Sequence, residues 1–133
     1  MEDLKMEFKS LMPNLMVKDV GKTVDFYKNI LGFSVLTTVP ENAPFVFAIV
    51  NANNVTISFQ EEKNIKEEYP QLNKFASGGG FTLYINVTDV NELFEKVKGK
   101  ATIAKEMHKT FYGSTDFSIE DCNGYILTFS QVG

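Results

Sequence analysis

The chain has 133 residues, of which 44% are hydrophobic, and its net charge is −4 with no arginine among the 13 basic residues. This length and composition fit one folded domain and exclude a disordered chain. An acidic chain without arginine is a poor candidate for nucleic-acid binding, because arginine and lysine make most contacts to phosphates and base edges. No apolar run reaches the roughly 18 residues of a membrane-spanning helix, and the N-terminus lacks the hydrophobic run of a signal peptide. With Cys122 as the single cysteine, we expect a cytoplasmic protein without an internal disulfide bond.

The first half of the chain predicts a strand, a helix and three further strands. Alternating side chains indicate a strand over residues 11–17. Asp19 is a good N-cap for the following helix, in which apolar residues recur with the spacing of one helix face. Gly32 suits the end of that helix. Strands are then expected at 33–39, 45–50 and 55–60.

The stretch 61–80 differs in character from the rest of the chain. It is rich in charged residues, contains Pro70 and ends in three glycines. One interpretation is a solvated connection with a short helix near 71–75. The other is a mobile flap over a ligand, which the triple glycine favours. The sequence leaves both interpretations open.

The pattern of the first half then returns. A strand is predicted over 81–87, and Asp89 with Glu92 resembles a capping box at the start of a second helix. Gly99 suits the end of this helix. Further strands are expected at 101–104, 115–119 and 125–129.

This repetition predicts the fold. Val17-x-Asp19-Val20 reappears as Val87-x-Asp89-Val90, so each half is a βαβββ module. We expect one domain over residues 1–133, of the α+β class, with a curved mixed sheet around a concave cleft. Its parts would be module one at 11–60, the connection at 61–80 and module two at 81–131.

The repeated motifs resemble those of a known superfamily. Val-x-Asp-Val, followed by Asp-Phe-Tyr at 25–27 and Leu-Gly-Phe at 31–33, resembles the first module of the vicinal oxygen chelate superfamily. That superfamily includes glyoxalase I, bleomycin-resistance proteins, extradiol dioxygenases and fosfomycin-resistance transferases. Tyr-Gly at 112–113 and the segment 117–124 resemble its C-terminal signature, with Asp-Cys-Asn-Gly in place of Asp-Pro-x-Gly. The resemblance covers residues 11–131 and implies the duplicated glyoxalase/bleomycin-resistance fold.

Enzymes of this superfamily hold a divalent metal at four strand positions, usually with His, Glu or Gln. By motif spacing the resemblance places these positions at Met12, Thr56, Thr82 and Thr128. A thioether and three neutral hydroxyls do not suit such a metal, which takes carboxylate oxygen or imidazole nitrogen. We therefore expect no metal of the family type and no other cofactor.

Strand alternation also predicts which residues line the cleft. Side chains such as Ile57 and Phe59 should lie under the helices, and their neighbours should face the cleft. The resulting surface is neutral, with neither a charge nor an imidazole, so we expect no catalytic residue on it. It fits a ligand pocket, or else a solvent-filled face or a subunit contact. The predicted ligand-binding residues are Met12, Asn14, Met16, Thr56, Ser58, Gln60, Thr82, Tyr84, Asn86, Thr128 and Ser130.

Two other residues, His108 and Cys122, have side chains of types that take part in catalysis. His108 is the only histidine, and its polar surroundings predict an exposed loop residue or else a group at the rim of the pocket. Cys122 replaces the usual proline in a turn and is expected to be an unreactive thiol.

Together these observations favour a metal-free binding protein of the bleomycin-resistance type over an enzyme. It would be a homodimer that sequesters a small cationic or aromatic compound, with no nucleic-acid or membrane partner. One alternative is a metal-dependent lyase or transferase of the same superfamily. Another is a structural or regulatory dimer. The lyase or transferase would need an ion held by residues among Gln60, Glu61, Glu106, His108 and Gln131.

Overall fold

A computed structural model describes residues 5–133, which form an α+β fold of eight strands, three α-helices and one short 3₁₀ helix. The predicted fold class and the two βαβββ modules are confirmed. Within this part of the chain no helix is long and apolar enough to cross a membrane. The elements are β1 (Asn14–Val17), α1 (Val20–Asn29), β2 (Ser34–Val39), β3 (Phe47–Ala52), β4 (Val55–Glu61), α2 (Glu62–Glu68), the 3₁₀ helix (Pro70–Lys74), β5 (Thr82–Asn86), α3 (Val90–Val97), β6 (Thr102–Lys109), β7 (Ser114–Glu120) and β8 (Ile126–Val132).

The strands form two four-stranded sheets, one in each module. The order is β1-β4-β3-β2 in the first sheet and β5-β8-β7-β6 in the second. In each sheet the module's first and last strands are parallel and the other neighbours are antiparallel. The two parallel strand pairs also have the same register. Asn14 lies opposite Ser58 in the first sheet, and the equivalent residue Tyr84 lies opposite the equivalent residue Thr128 in the second. This shared register identifies equivalent positions in the two modules.

The two main helices begin where the sequence predicts. The Asp19 carboxylate accepts a hydrogen bond from the Lys22 N–H at 3.0 Å, and Asp89 accepts one from Glu92 at the same distance. Each bond satisfies an N–H that a helix start leaves without a partner. After α1, Gly32 has φ of 80°, a conformation that glycine adopts without steric cost.

Each helix covers one face of its sheet, and the two modules share a core. Leu15, Ile57, Phe59, Phe117 and Leu127 are all buried in one apolar cluster. Because side chains alternate along a strand, the residues between them point to the opposite face. That opposite face carries the side chains that the sequence predicts for the cleft.

Tyrosine hydroxyls make two of the hydrogen bonds that fasten the modules to each other. The Tyr27 hydroxyl on α1 donates to Asp121 Oδ2 at 2.7 Å, across 94 residues of sequence. The Tyr125 hydroxyl donates to the Met16 carbonyl at 2.6 Å. Asp121 Oδ1 also accepts backbone N–H bonds from Asn123 and Tyr125. Burial raises the pKa of Asp121, although these hydrogen bonds oppose the shift.

The connection between the modules is more structured than a solvated linker. The 3₁₀ helix lies at Pro70–Lys74, close to the predicted short helix, but α2 was not predicted. Ile65 on α2 is buried, so this helix packs onto the body of the protein. Gly78 has φ of 98°, and a Cβ there would collide with the backbone of Asn123. At least one glycine of the triplet is therefore explained by close backbone packing.

The region around His108 differs from the sequence prediction. Strand β6 continues to Lys109, so His108 lies on a strand and is partly buried, not in an exposed loop. β6 is one of the two edge strands of the second sheet. Edge strands are often rich in charged side chains, which discourage pairing with other molecules. This explains why the polar stretch resembled a loop.

Candidate functional site

The predicted cleft residues lie on the face of each sheet that the main helices leave uncovered. Ser58 and Gln60 are next to Asn14 and Met16 in the first sheet, whereas Thr128 and Ser130 are next to Tyr84 and Asn86 in the second. The structure therefore forms two groups from these residues, one in each module. The first is Asn14, Met16, Thr56, Ser58 and Gln60, preceded by Met12, and the second is Thr82, Tyr84, Asn86, Thr128 and Ser130.

In the first group, the side chains bind one another. Ser58 Oγ donates to Asn14 Oδ1 at 2.8 Å, and Asn14 Nδ2 donates to Gln60 Oε1 at 2.8 Å. Gln60 Nε2 then donates to Asn64 Oδ1 at 2.7 Å and to Glu68 Oε1 at 2.9 Å, both on α2. In residues 5–133 no buried side-chain nitrogen or oxygen lacks a partner. This chain of hydrogen bonds fixes α2 on the polar face of the first sheet.

Two cavities adjoin the predicted residues. One, of about 660 Å³, is lined by Asn14 and Met16 together with Ile65, Phe75 and Tyr125. The other, of about 420 Å³, lies where the modules meet and brings Thr56 together with Tyr84 and Asn86. Ligand sites in proteins commonly have volumes of roughly 300–1,000 Å³. Both cavities are thus large enough for a small organic molecule.

The second group contains a charged residue that the sequence analysis missed. Asp116 on β7 lies directly opposite Ser130, so its carboxylate is on the same face as Tyr84. The Tyr84 hydroxyl is 2.8 Å from Ser130 Oγ and 3.3 Å from Asp116 Oδ2, and Ser114 Oγ donates to Asp116 Oδ1 at 2.8 Å. On the other side, His108 of β6 lies opposite Asp116. The expectation of a face without charge or imidazole is wrong.

Strand alternation could have found Asp116. The sequence predicts the strand at 115–119, but the predicted cleft residues come only from the first and last strands of each module. Asp116 is two residues from Ser118, which binds Thr128 through hydroxyls 2.8 Å apart. Extending the same alternation to β7 places Asp116 beside Ser130. No such signal existed for His108, because the end of β6 resembles a loop.

The Asp116 carboxylate is held in its ionised form. Burial alone would raise its pKa, but hydrogen bonds from Ser130, Ser114 and Tyr84 outweigh that effect, and the pKa lies below its ordinary value. The positive charge of protonated His108 acts in the same direction. Neighbouring side chains cover Asp116 closely while the face around Tyr84 remains exposed. Such a carboxylate is a weak base at neutral pH and a fixed negative charge.

The strand register refines the positions at which relatives hold a metal. Thr128 in the second sheet is equivalent to Ser58 in the first sheet. The metal-ligand position on the last strand of the first module is therefore Ser58 and not Thr56. The four side chains still offer one thioether and three hydroxyls, which do not suit a hard divalent cation. Among residues 5–133 no group of three or more His, Cys, Asp or Glu side chains could hold a metal ion.

The residues of the alternative metal site have other contacts. Glu61 caps α2 by accepting the Asn64 N–H, and Gln131 accepts the Val90 N–H at the start of α3. His108 Nδ1 lies 2.8 Å from the Glu106 carbonyl. Gln60 belongs to the network that holds α2. Glu61 and Gln131 thus lie at the starts of two different helices, and Glu61, Glu106 and His108 form no group that could hold a metal ion.

The thiol of Cys122 has no activating surroundings. It lies in the β7–β8 turn, 3.9 Å from the Thr23 hydroxyl and 3.6 Å from Asn123 Nδ2. Burial raises the pKa of Cys122, and the charge of Asp121 raises it further. A raised thiol pKa lowers the thiolate fraction and with it the nucleophilicity.

Comparison with known proteins identifies the family and the fold. A family model described as "Glyoxalase/Bleomycin resistance protein/Dioxygenase superfamily" matches residues 9–129. No functionally curated protein matches the chain in sequence. Among solved structures, TioX from Micromonospora sp. ML1 is similar with a TM-score of 0.73 and 18% identity, covering 93% of this chain and 98% of TioX. A family enzyme from Burkholderia phytofirmans PsJN has a TM-score of 0.76 and 19% identity, covering 92% and 97%.

A third solved structure is a bleomycin-binding protein from Streptomyces verticillus, complexed with copper(II)-bleomycin. Its TM-score is 0.65 at 20% identity, with 96% of this chain and 98% of that protein covered. At these identities the similarity extends to the fold and not to the ligand.

Proposed function

Because the chain belongs to the glyoxalase/bleomycin resistance protein/dioxygenase superfamily, we propose that it is a metal-independent protein that binds and sequesters a small molecule. The observation that carries this proposal is the cavity of about 420 Å³ between the modules. Polar side chains from both sheets, Thr56, Tyr84 and Asn86, contribute to its lining. Apolar walls with a few fixed polar groups are typical of sites for small organic ligands.

The chemistry of the polar faces favours binding over catalysis. A metal-dependent lyase or transferase needs carboxylate or imidazole ligands where this chain has the thioether of Met12 and the neutral hydroxyls of Ser58, Thr82 and Thr128. Asp116 is the buried carboxylate of the second face, and its lowered pKa makes it a poor general base near neutral pH. Hydroxyls and amides remain, and these suit reversible hydrogen bonding.

We further propose that the ligand site is completed in a cytoplasmic homodimer. Large exposed side chains lie on or beside the uncovered sheet faces, among them Met12 and Val39 at the first sheet and Tyr84 at the second. A second copy could cover them and place the first sheet of one chain over the second sheet of the other. The similar bleomycin-binding protein, which is complexed with a small molecule, supports binding as the activity of this fold.

The test is ligand binding by the purified protein without added metal. Thermal-shift screening against metabolites and antibiotics, followed by calorimetry, should find compounds that raise the melting temperature in proportion to their affinity. Light scattering should give the mass of a dimer. Stoichiometric zinc, nickel, manganese or iron in the purified protein would instead support the lyase or transferase. A dimer that binds no compound and has closed faces would support the structural alternative.

A further inference from the structure

One feature of the second sheet is not explained by general small-molecule binding. Asp116 is 3% exposed, yet the hydrogen bonds that it accepts come only from neutral hydroxyls, those of Ser114, Tyr84 and Ser130. In the described part of the chain, side-chain ion pairs join Lys66 with Glu62 and Lys98 with Glu95, and none reaches Asp116. Buried carboxylates are usually paired with a cation. Asp116 therefore leaves a negative potential on this face.

Tyr84 connects that charge to the open side of the sheet. Its hydroxyl has one proton, and the two acceptors at hydrogen-bond distance, Ser130 Oγ and Asp116 Oδ2, lie on the protein side. Whichever partner accepts the proton, the phenol oxygen presents a lone pair to a ligand. The Tyr84 side chain is well placed for this, since the residue is 52% exposed and lines the 420 Å³ cavity.

A second phenol lies next to the first. Tyr112 is in the exposed turn between β6 and β7. Its pKa is raised, chiefly by hydrogen bonding to Tyr84, then by burial and by the charges of Tyr84 and Asp116. Hydrogen bonds join Tyr84 to Asp116 and Ser130, and we name these three residues, with Tyr112 in the neighbouring turn, the Tyr84 cluster (Tyr84, Tyr112, Asp116 and Ser130).

We propose that the Tyr84 cluster anchors a protonated amine of the ligand. The ammonium would donate a hydrogen bond to the Tyr84 oxygen and lie against the faces of the two phenol rings, where a cation is attracted. Asp116 would not touch the ligand. It would polarise the Tyr84 hydroxyl and supply the compensating charge, and so act as a positioning residue. This inference rests on the proposed function and adds the chemical class of the ligand.

Two cationic side chains must be considered as competitors. Lys105 lies opposite Ser118 and His108 lies opposite Asp116, both on the outer strand β6. The Lys105 ammonium forms no ion pair with any described carboxylate. If Lys105 governed the face, the site would prefer an anion to a cation. A preference for a cationic ligand would therefore indicate that Asp116 determines the charge preference of this face, whereas a preference for an anionic ligand would indicate that Lys105 does.

The test uses three probes with the same phenyl ring: phenethylamine, 2-phenylethanol and 3-phenylpropionate. Their affinities are measured by ¹H–¹⁵N NMR titration of the full chain. We expect phenethylamine to bind about tenfold more tightly than the alcohol, with shifts centred on Tyr84 and Tyr112, because a negative charge near a ligand cation at a half-exposed site contributes a factor of about that size. The carboxylate should bind most weakly.

Matched variants assign the effect to the cluster. Asp116→Asn keeps the shape of the side chain and should abolish the tenfold preference for the amine over 2-phenylethanol. Tyr84→Phe keeps the ring and should weaken amine binding by a similar factor. Asp25→Asn, on the exposed surface of α1, and Tyr69→Phe, at a residue 51% exposed, serve as controls and should change neither affinity. Two cluster variants are used because one buried substitution alone could perturb folding, which the NMR spectrum reports.

The remaining outcomes contradict the proposal. Equal binding of all three probes, or a preference for 3-phenylpropionate, would overturn the amine anchor and leave small-molecule binding intact. Absence of amine-induced shifts at Tyr84 and Tyr112, even at saturating probe concentration, would also overturn the anchor. A preference for the amine that persists in both Asp116→Asn and Tyr84→Phe would place the cation site elsewhere. Failure of the whole compound panel in the thermal-shift screen would count against the proposed function itself.

Discussion

The hydrogen bond between Tyr27 and Asp121 gives the most direct test of how the modules are held together. In Tyr27→Phe the ring stays in the core, where it packs against Phe33 and Phe59 at centroid distances of 5.6 and 4.8 Å. Only the hydroxyl is lost, and Asp121 Oδ2 loses the donor at 2.7 Å. Both residues are buried, so water cannot easily replace that donor. A buried hydrogen bond to a charged group contributes about 1.5–3 kcal/mol, and we expect a loss of that size in the free energy of unfolding.

The same bond makes the loss depend on pH. Burial raises the pKa of Asp121 in the folded protein, and the Tyr27 hydrogen bond partly offsets this. A carboxyl with a raised pKa stabilises the fold below its unfolded pKa of about 3.9, and this contribution is lost as pH rises through the folded pKa. Removing the Tyr27 donor raises the folded pKa further, so the variant should lose more stability at pH 7 than near pH 4.

The assay is urea unfolding followed by fluorescence and circular dichroism at both pH values. Tyr69→Phe is the control, because it removes the hydroxyl of an exposed tyrosine. We expect the Tyr27 variant to unfold at lower urea with an unchanged slope, and the control to match the parent within about 0.5 kcal/mol. A loss at pH 7 no larger than that of the control, or a loss that is larger at pH 4 than at pH 7, would refute the assigned role of this bond.

Three other contacts lead to predictions of their own. Because the pKa of Asp116 is lowered in the folded protein, the contribution of this carboxylate to stability is present above the unfolded pKa and is lost as pH falls through the folded pKa. Asp116→Asn should therefore reduce the loss of stability in acid, measured by urea unfolding between pH 6 and 3. Gly78→Ala should destabilise the protein by at least about 1 kcal/mol because of the positive φ and the collision with a backbone, whereas Gly79→Ala, with no atom near its added Cβ, should leave the melting temperature nearly unchanged. Gln60→Ala removes both bonds to α2 and should speed hydrogen exchange in that helix, while exchange in β8 stays slow.

The fold was predictable because its signals are local and occur twice. Asp19 and Asp89 start the helices at equivalent places, and strict alternation separates Ile57 and Phe59 from Ser58 and Gln60. The misses have physical causes. Helix α2 is short and highly charged, and its position depends on Gln60, whose side chain is held by Asn14, a residue 46 positions earlier that no local pattern reveals. The charge of the second face was missed because β7 was not included in the alternation.

The shared register of the modules also shows how one scaffold provides two different faces. Asn14, Ser58 and Gln60 of the first module correspond to Tyr84, Thr128 and Ser130 of the second. In the first, amides and a hydroxyl satisfy one another and fix α2, so few of their hydrogen-bonding groups remain for a ligand. In the second, the phenol is exposed and a buried carboxylate lies behind it. If the faces of two copies meet around one ligand, the first sheet should act as the neutral wall and the second should determine which charge the ligand carries.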